Sequence, residues 1–247
     1  MKLALIGDPV EHSRSPELHG QFLEEAGIEG TYTAIRVPKG EGAQTVRRLR
    51  EEGYAGLNVT TPLKEEVVAA CDWLDEDARM AEAVNTIFFG VRVLGSNTDG
   101  IGARTALETI LGQPVALERI GILGTGATAR AILAQLHETD AYTYVWGRDH
   151  DKVLALCDRF EAKQWPESPP EIVIATLPPS TELPKHILEH VRKAEVVMDT
   201  NYGARSNIDR LLLREVIPGD SMVEAQARAS FDFWLAHSME ETEEFLS

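Results

Sequence analysis

Apolar runs and amphipathic stretches alternate along the chain. KLALIG (2–7), TYTAIRV (31–37) and GLNVT (56–60) read as strands. Between them, SPELHGQFLEEAG and GEGAQTVRRLREEG carry helical spacing and stop at glycine. This β-α-β-α-β series predicts a mainly parallel sheet with both faces covered. LKEEVVAACDWL (63–74) reads as a further helix, and NTIFFGVRVLGSN (85–97) as a hairpin of two short strands.

A second alternating series follows. TDGIGARTALETIL predicts a helix, ERIGILG a strand, GATARAILAQLHE a helix and YTYVWG a strand. DKVLALCDRF and PKHILEHVRKA read as helices, EIVIATLP and EVVMDTN as strands. AKQWPESPP (162–170) is the clearest surface loop. The helix SMVEAQARASFDFWLAH is apolar on more than one face and must pack against something. The acidic tail MEETEEFLS reads as its solvated end. The expected architecture is α/β, with two domains and a cleft between them.

The 247 residues suit two ordinary domains or one large one. A formal net charge of −16 argues against a nucleic-acid or anionic-membrane partner, either of which needs a basic face. It leaves room for a small anionic substrate. Cys71 and Cys157 form no CxxC pair, so neither a metal site nor a disulfide framework is expected. No segment reaches the roughly 18 apolar residues of a membrane span, and MKLALIG is too short for a signal sequence. A cytoplasmic monomer or homodimer is expected.

The chemistry is carried by strand ends. GLNVTTPLK runs from a core strand into hydroxyls and a lysine, Lys64, so it delivers donors and a cation to a sheet edge. In HSRSPELHG, Pro16 suits a first helical turn, with Ser15 as its N-cap. Ser13 and Ser15 are alternatively two hydroxyls at a helix start, where a carboxylate is favoured. His12 and His19 have no partner motif that would make them proton carriers. Asp99, in NTDGIG, either caps the helix after it or pairs with Lys64. A lysine held by an aspartate can relay a proton to or from an alcohol.

ERIGILGTGATARA joins a strand to a helix through Gly121, Gly124 and Gly126, a turn that lets backbone amides approach a pyrophosphate. In WGRDHDK, Arg148 can pair with a 2′-phosphate, whereas Asp149 can accept from a free 2′-hydroxyl. The two residues point to opposite cofactors.

The ordered set HSRSP, NVTTPLK, AVNT, NTDGIG, GTGATARA, DTNY and EAQA resembles the motifs of the shikimate dehydrogenase family over nearly the whole chain. The resemblance implies reversible reduction of 3-dehydroshikimate to shikimate with NADP, with residues 1–100, completed by 219–247, as the substrate domain and 101–218 as a Rossmann-like dinucleotide-binding domain. By resemblance, Lys64 and Asp99 are the catalytic pair, and Ser13, Ser15 and Tyr202 bind the carboxylate. Asn58, Thr60, Asn85 and Gln226 would bond the ring hydroxyls. Gly124, Thr125, Gly126, Ala127, Arg148 and Thr176 would contact the dinucleotide. The chain departs from the family pattern at Gly20, where asparagine is usual, and at Glu82 and Ala127, where glycine is. WGRDHDK keeps only the arginine of an Asn-Arg-Thr motif, and ATLPPS replaces the run that borders the nicotinamide. The substrate half is thus better kept than the cofactor half. Two alternatives stay open: an NAD-linked quinate/shikimate dehydrogenase, favoured by Asp149, and a non-catalytic shikimate-binding homologue.

Overall fold

Strand β1 (Lys2–Gly7) is buried at every residue after Lys2, which suits only a strand with neighbours on both sides. The computed structural model, which describes residues 1–179, 181–201 and 219–246 with side chains through Met239, gives it those neighbours. β2 (Thr31–Arg36) and β3 (Gly56–Val59) flank β1 and run parallel to it. Helices α1 (Ser15–Glu25) and α2 (Gly42–Glu51) make the crossovers. β5 (Thr86–Phe89) and β6 (Val93–Ser96) form the hairpin, and β5 pairs antiparallel with β3. The sheet is therefore mixed, in the order β2-β1-β3-β5-β6 with a short strand, β4 (Trp73–Leu74), at the far edge.

The stretch expected as one helix over 63–74 is broken up. It contains a five-residue 3-10 helix, Glu66–Ala70, and a two-residue strand, β4 (Trp73–Leu74), parallel to β6. A separate short helix, α3 (Glu76–Ala81), follows, capped by the Asp75 side chain, which accepts from Ala78 N–H at 2.8 Å. Expected helix spacing gave way to a cap four residues downstream of Cys71 and to a free sheet edge. Ser15 is likewise not a cap. It is the first residue of α1, and its N–H donates to Ser13 Oγ at 3.2 Å.

Side chains alternate across this sheet with period two. Ala4, Ile6, Leu57 and Val59 join Val46, Leu49, Leu63 and Val67 in one core. Leu3 and Phe88 join Leu18, Phe22, Phe231 and Trp234 in another. The last two belong to the final helix, α8 (Asp220–Leu246). Its indole fits only because residue 56 is glycine: a Cβ there would lie 2.5 Å from Trp234 Nε1. Contacts divide the chain into two units, Met1–Asp99 with Val223–Ser247, and Gly100–Met222.

The second unit opens with α4 (Asp99–Leu111), whose first residue belongs to the first unit. Its sheet is wholly parallel, in the order β11-β10-β7-β8-β9. The strands are β7 (Arg119–Leu123), β8 (Tyr142–Trp146), β9 (Lys163–Gln164), β10 (Ile172–Ala175) and β11 (Val196–Asp199). Helices α5 (Ala127–His137), α6 (His150–Arg159) and α7 (Lys185–Lys193) connect them. This is the Rossmann-like arrangement. The expected loop over 162–170 in fact supplies β9, and its Trp165 packs over Gly121 and donates from Nε1 to His190 at 3.1 Å. Two residues are too few for a strand pattern to register.

Glu82 ends α3 in the left-handed region, φ +49°, which explains the family's glycine at this position. An L side chain costs roughly 1–2 kcal/mol there, against about 0.5–1 kcal/mol of extra chain entropy for glycine. Glu82→Gly is expected to raise stability by about 0.5–1 kcal/mol in urea unfolding; a decrease would show that the glutamate side chain contributes more than its backbone costs.

Candidate active site

In each sheet the strand order reverses beside the first strand, and ligands of open α/β sheets bind at such a reversal, beyond the strands' carboxyl ends. In the first unit the reversal lies between β1 and β3. The loops leaving these two strands carry Ser13 and Ser15 on one side, Thr60 and Lys64 on the other. The strand ends touch: a Cβ on Gly7 would meet Thr60 Cγ2 at 2.3 Å.

Lys64 Nζ donates to Asp99 Oδ2, and both side chains are mostly buried, 12% and 8% exposed. Asp99 Oδ1 accepts from Asn85 Nδ2 at 2.8 Å. The Asn85 amide has one possible orientation, because Thr98 N–H can only donate, and it does so to Asn85 Oδ1 at 2.8 Å. The Asp99 N–H is in turn taken by the Asn97 side chain at 3.1 Å, which holds the start of α4. The hairpin β5–β6 thus brings Asn85, Thr98 and Asp99 to the lysine.

Asn58 is oriented by the same logic. Its Nδ2 faces the carbonyl oxygen of Asn85 at 3.1 Å, an atom that can only accept, so Oδ1 faces Tyr32 and accepts from its hydroxyl at 2.8 Å. Burial pushes the Tyr32 pKa upward, and the neighbouring Ser15 works weakly against that. Ser13 Oγ lies 3.1 Å from Ser15 Oγ. Gln226, on α8, donates from Nε2 to Val223 O at 2.9 Å, leaving Oε1 toward Asn85 and Thr98 at 3.5 and 3.4 Å. The hydrogen bonds therefore gather Lys64, Asp99, Asn58, Asn85 and Gln226 into one cluster, with Ser13, Ser15 and Thr60 on the flanking loops. Tyr202 lies outside the described residues.

Sequence reasoning missed Tyr32, Thr86, Thr98 and Ser230 as parts of this cluster. Thr86 and Thr98 sit inside the AVNT and NTDGIG motifs, and Ser230 is one helical turn after Gln226. That adjacency was the available signal.

In the second unit the reversal lies between β7 and β10. Gly124, φ +129°, follows β7, and a Cβ there would strike Thr176 Oγ1 at 2.2 Å. Thr176 Oγ1 donates to Leu123 O at 2.9 Å. Gly126 is the N-cap of α5, with open space where its side chain would be. Glycine at this cap has no side chain to bond the first-turn amides, and a helix start of this kind suits a pyrophosphate. Thr125 packs against Gly147 at the end of β8. Beyond it, Arg148 is exposed, while Asp149 is the N-cap of α6: its Oδ1 accepts from Lys152 N–H at 3.2 Å.

The residues 5–87 match the family model for the shikimate dehydrogenase substrate-binding domain. An NADP(+) shikimate dehydrogenase of Bacillus licheniformis is 32% identical over 255 residues, covering 94% of this chain and 91% of the relative. The chain belongs to the shikimate dehydrogenase family. The relative from Acidiphilium cryptum is 40% identical over 157 residues, 63% of this chain and 56% of that protein, so this stronger match spans about half the relative's length. Among solved structures, a family member from Thermus thermophilus, in complex with NADP(H) and shikimate, superposes with a TM-score of 0.82 at 28% identity, covering 95% of this chain and 93% of that one.

Among the described residues no group of acidic, histidine and cysteine side chains is set to hold a metal, and no helix is long and apolar enough to cross a membrane. His19 lies fully buried among Tyr32, Phe22, Phe231 and Trp234, stacked on Tyr32 with ring centroids 4.5 Å apart. Neither ring nitrogen has a hydrogen-bond partner; Asn58 is near enough to favour the proton weakly but makes no bond of normal geometry. Burial pulls the His19 pKa down to about 3. The unfolded chain therefore binds a proton below about pH 6.5 that the folded chain refuses, so stability is full above that pH and falls as pH drops. By pH 5 the loss is expected to reach about 2 kcal/mol. Unfolding melts from pH 7 to 5 should show this slope in the wild type and a shallower one in His19→Phe; equal slopes would assign the acid sensitivity elsewhere.

Proposed function

We propose that this chain is an NADP-dependent shikimate dehydrogenase, which reversibly reduces the C3 carbonyl of 3-dehydroshikimate to the alcohol of shikimate. The observation that carries this reading is the buried Lys64–Asp99 pair, oriented by Asn85 at the carboxyl end of β3. The bound dinucleotide supplies the hydride. Lys64 supplies the proton: its ammonium donates to the oxygen at C3 as negative charge develops there, and solvent restores it. In the reverse direction the neutral amine accepts the hydroxyl proton. Asp99 keeps the ammonium in place through Oδ2 and accepts from a ring hydroxyl. Asn58, Thr60, Asn85 and Gln226 bond the remaining hydroxyls, and Ser13 and Ser15 hold the carboxylate at the start of α1. Tyr202 completes the carboxylate site by resemblance. The substrate is a small soluble acid, so we assign the enzyme to the cytoplasm.

Lys64→Ala is expected to cut kcat by roughly two orders of magnitude or more, with a smaller change in shikimate affinity. The variant also strands a buried carboxylate, at a cost of up to about 3–5 kcal/mol, so the assay belongs well below its Tm. Near-normal turnover would remove Lys64 from the mechanism. Wild-type protein inactive toward 3-dehydroshikimate with both NADPH and NADH would favour a non-catalytic binding role.

In the nucleotide unit, Gly124, Thr125, Gly126 and Ala127 would cradle the pyrophosphate, and Thr176 would border the nicotinamide. The open start of α5 and the Gly124–Thr176 contact suit that group. The choice between NADP and NAD turns on Asp149. Its carboxylate is engaged in capping α6, with Lys152 Nζ 3.8 Å away, and this supports Arg148 as the reader of a 2′-phosphate. Arg148→Ala is expected to weaken NADP binding roughly ten- to a hundredfold and leave NAD nearly unchanged. Asp149→Ala should lose about 1 kcal/mol of stability as a lost cap and keep the cofactor preference. A wild type that prefers NAD, and loses that preference on Asp149→Ala, would instead establish the NAD-linked reading.

A further inference from the structure

Ser230 has no exposed surface, yet its hydroxyl meets four partners behind the site, as many as the Thr98 hydroxyl does. It lies 2.7 Å from Thr86 Oγ1, 2.9 Å from Thr98 Oγ1 and 2.9 Å from the carbonyl oxygen of Gln226, and Asn58 Nδ2 approaches it at 3.1 Å. It therefore touches a residue of β3, a residue of β5, the segment that leads into Asp99, and the helical turn that bears Gln226.

The protons around it are rationed. Thr86 also lies 2.9 Å from Asn85 Oδ1. The oxygen pairs Thr86–Asn85, Thr86–Ser230, Thr98–Ser230 and Ser230–Gln226 draw on only the hydroxyl protons of Thr86, Thr98 and Ser230. Ser230 takes part in all but one of these pairs, so it decides where the protons go. With Ser230 donating to the Gln226 carbonyl, Thr98 has its shortest acceptor in Ser230. Its alternatives are longer: Asn85 Oδ1 at 3.2 Å and Gln226 Oε1 at 3.4 Å. Gln226 Oε1 is the acceptor this amide offers a ligand hydroxyl, its Nε2 giving one of its two protons to Val223 O.

We infer that Ser230 is a positioning residue for substrate binding: it holds the Thr98 hydroxyl away from Gln226 Oε1 and fixes the turn of α8 that presents Gln226. It touches no reacting atom. The inference rests on the proposed reaction, and it separates from a packing role because alanine at 230 suits a helix and removes only the hydroxyl.

The test is steady-state kinetics on wild type, Ser230→Ala and Ser230→Cys, the thiol being a weak hydrogen-bonding replacement of similar shape. Both variants are expected to raise the KM for 3-dehydroshikimate roughly tenfold, the worth of one net hydrogen bond at a polar substrate. The KM for NADPH should stay within about twofold and kcat within about threefold, since the Lys64–Asp99 pair is untouched. A substrate KM within about twofold of wild type in both variants overturns the inference, whatever the Tm does. If wild-type protein does not turn over, the proposed reaction fails by itself; shikimate affinity by calorimetry then replaces KM, and affinity unaltered by either substitution, or no binding by wild type, overturns the role of Ser230.

Discussion

A lysine ammonium taken out of water needs a carboxylate beside it, and Lys64 finds one 35 residues further along the chain. Much of the first unit follows from bringing these groups together. β3 must end where α4 begins, so the chain between them folds back as the hairpin β5–β6, turning a parallel sheet into a mixed one. The hairpin's first strand starts just after Asn85 and its second ends two residues before Thr98, which puts Asn85 in reach of both Thr98 and Asp99. Asn97 then occupies the amide at the helix start. The residues with acid–base capacity are few; those that orient them are many.

The last helix completes this unit although it lies at the other end of the sequence. Trp234 donates to Ile87 O at 2.9 Å, and one turn earlier Ser230 meets Thr86, so successive turns of α8 address successive residues of β5. Apolar burial of Phe231 and Trp234 supplies the affinity of the helix for the sheet, while the hydroxyl and indole contacts fix its register. Gln226, on the same helical face, is carried along.

The strands and long helices were legible in the sequence because each has its own periodicity and its own stop signal. Lys64 and Asp99 stood out because each follows a strand of the first sheet, and Asn58 and Asn85 because they lie in motifs shared with the family. What escaped was whatever depends on a partner distant in sequence. β4 and β9 are strands only because β6 and β8 offer them an edge. The Ser15 cap reading failed because the helix starts one residue earlier, with Arg14 in the cap position and its carbonyl accepting from Leu18 N–H. Asp149 stood beside Arg148 as the opposing candidate for the ribose, and its hydrogen bond to Lys152 N–H at the start of α6 shows only in the fold. Serine at 230 looked like one more polar residue on a long helix.

Gly7 and Gly124 share a geometry that has a consequence for how such chains can vary. Gly7 ends the first strand of its sheet and Gly124 directly follows the first strand of the other, and each has a threonine, Thr60 or Thr176, filling the volume where its side chain would stand. The two members of a pair draw on one fixed volume. Among relatives the pair 7–60 should covary, with any residue larger than glycine at 7 matched by a smaller one at 60, whereas position 124 should stay glycine whatever stands at 176, because its φ of +129° strains any L side chain. A lineage that breaks this rule must have moved the loop that its ligand sits on.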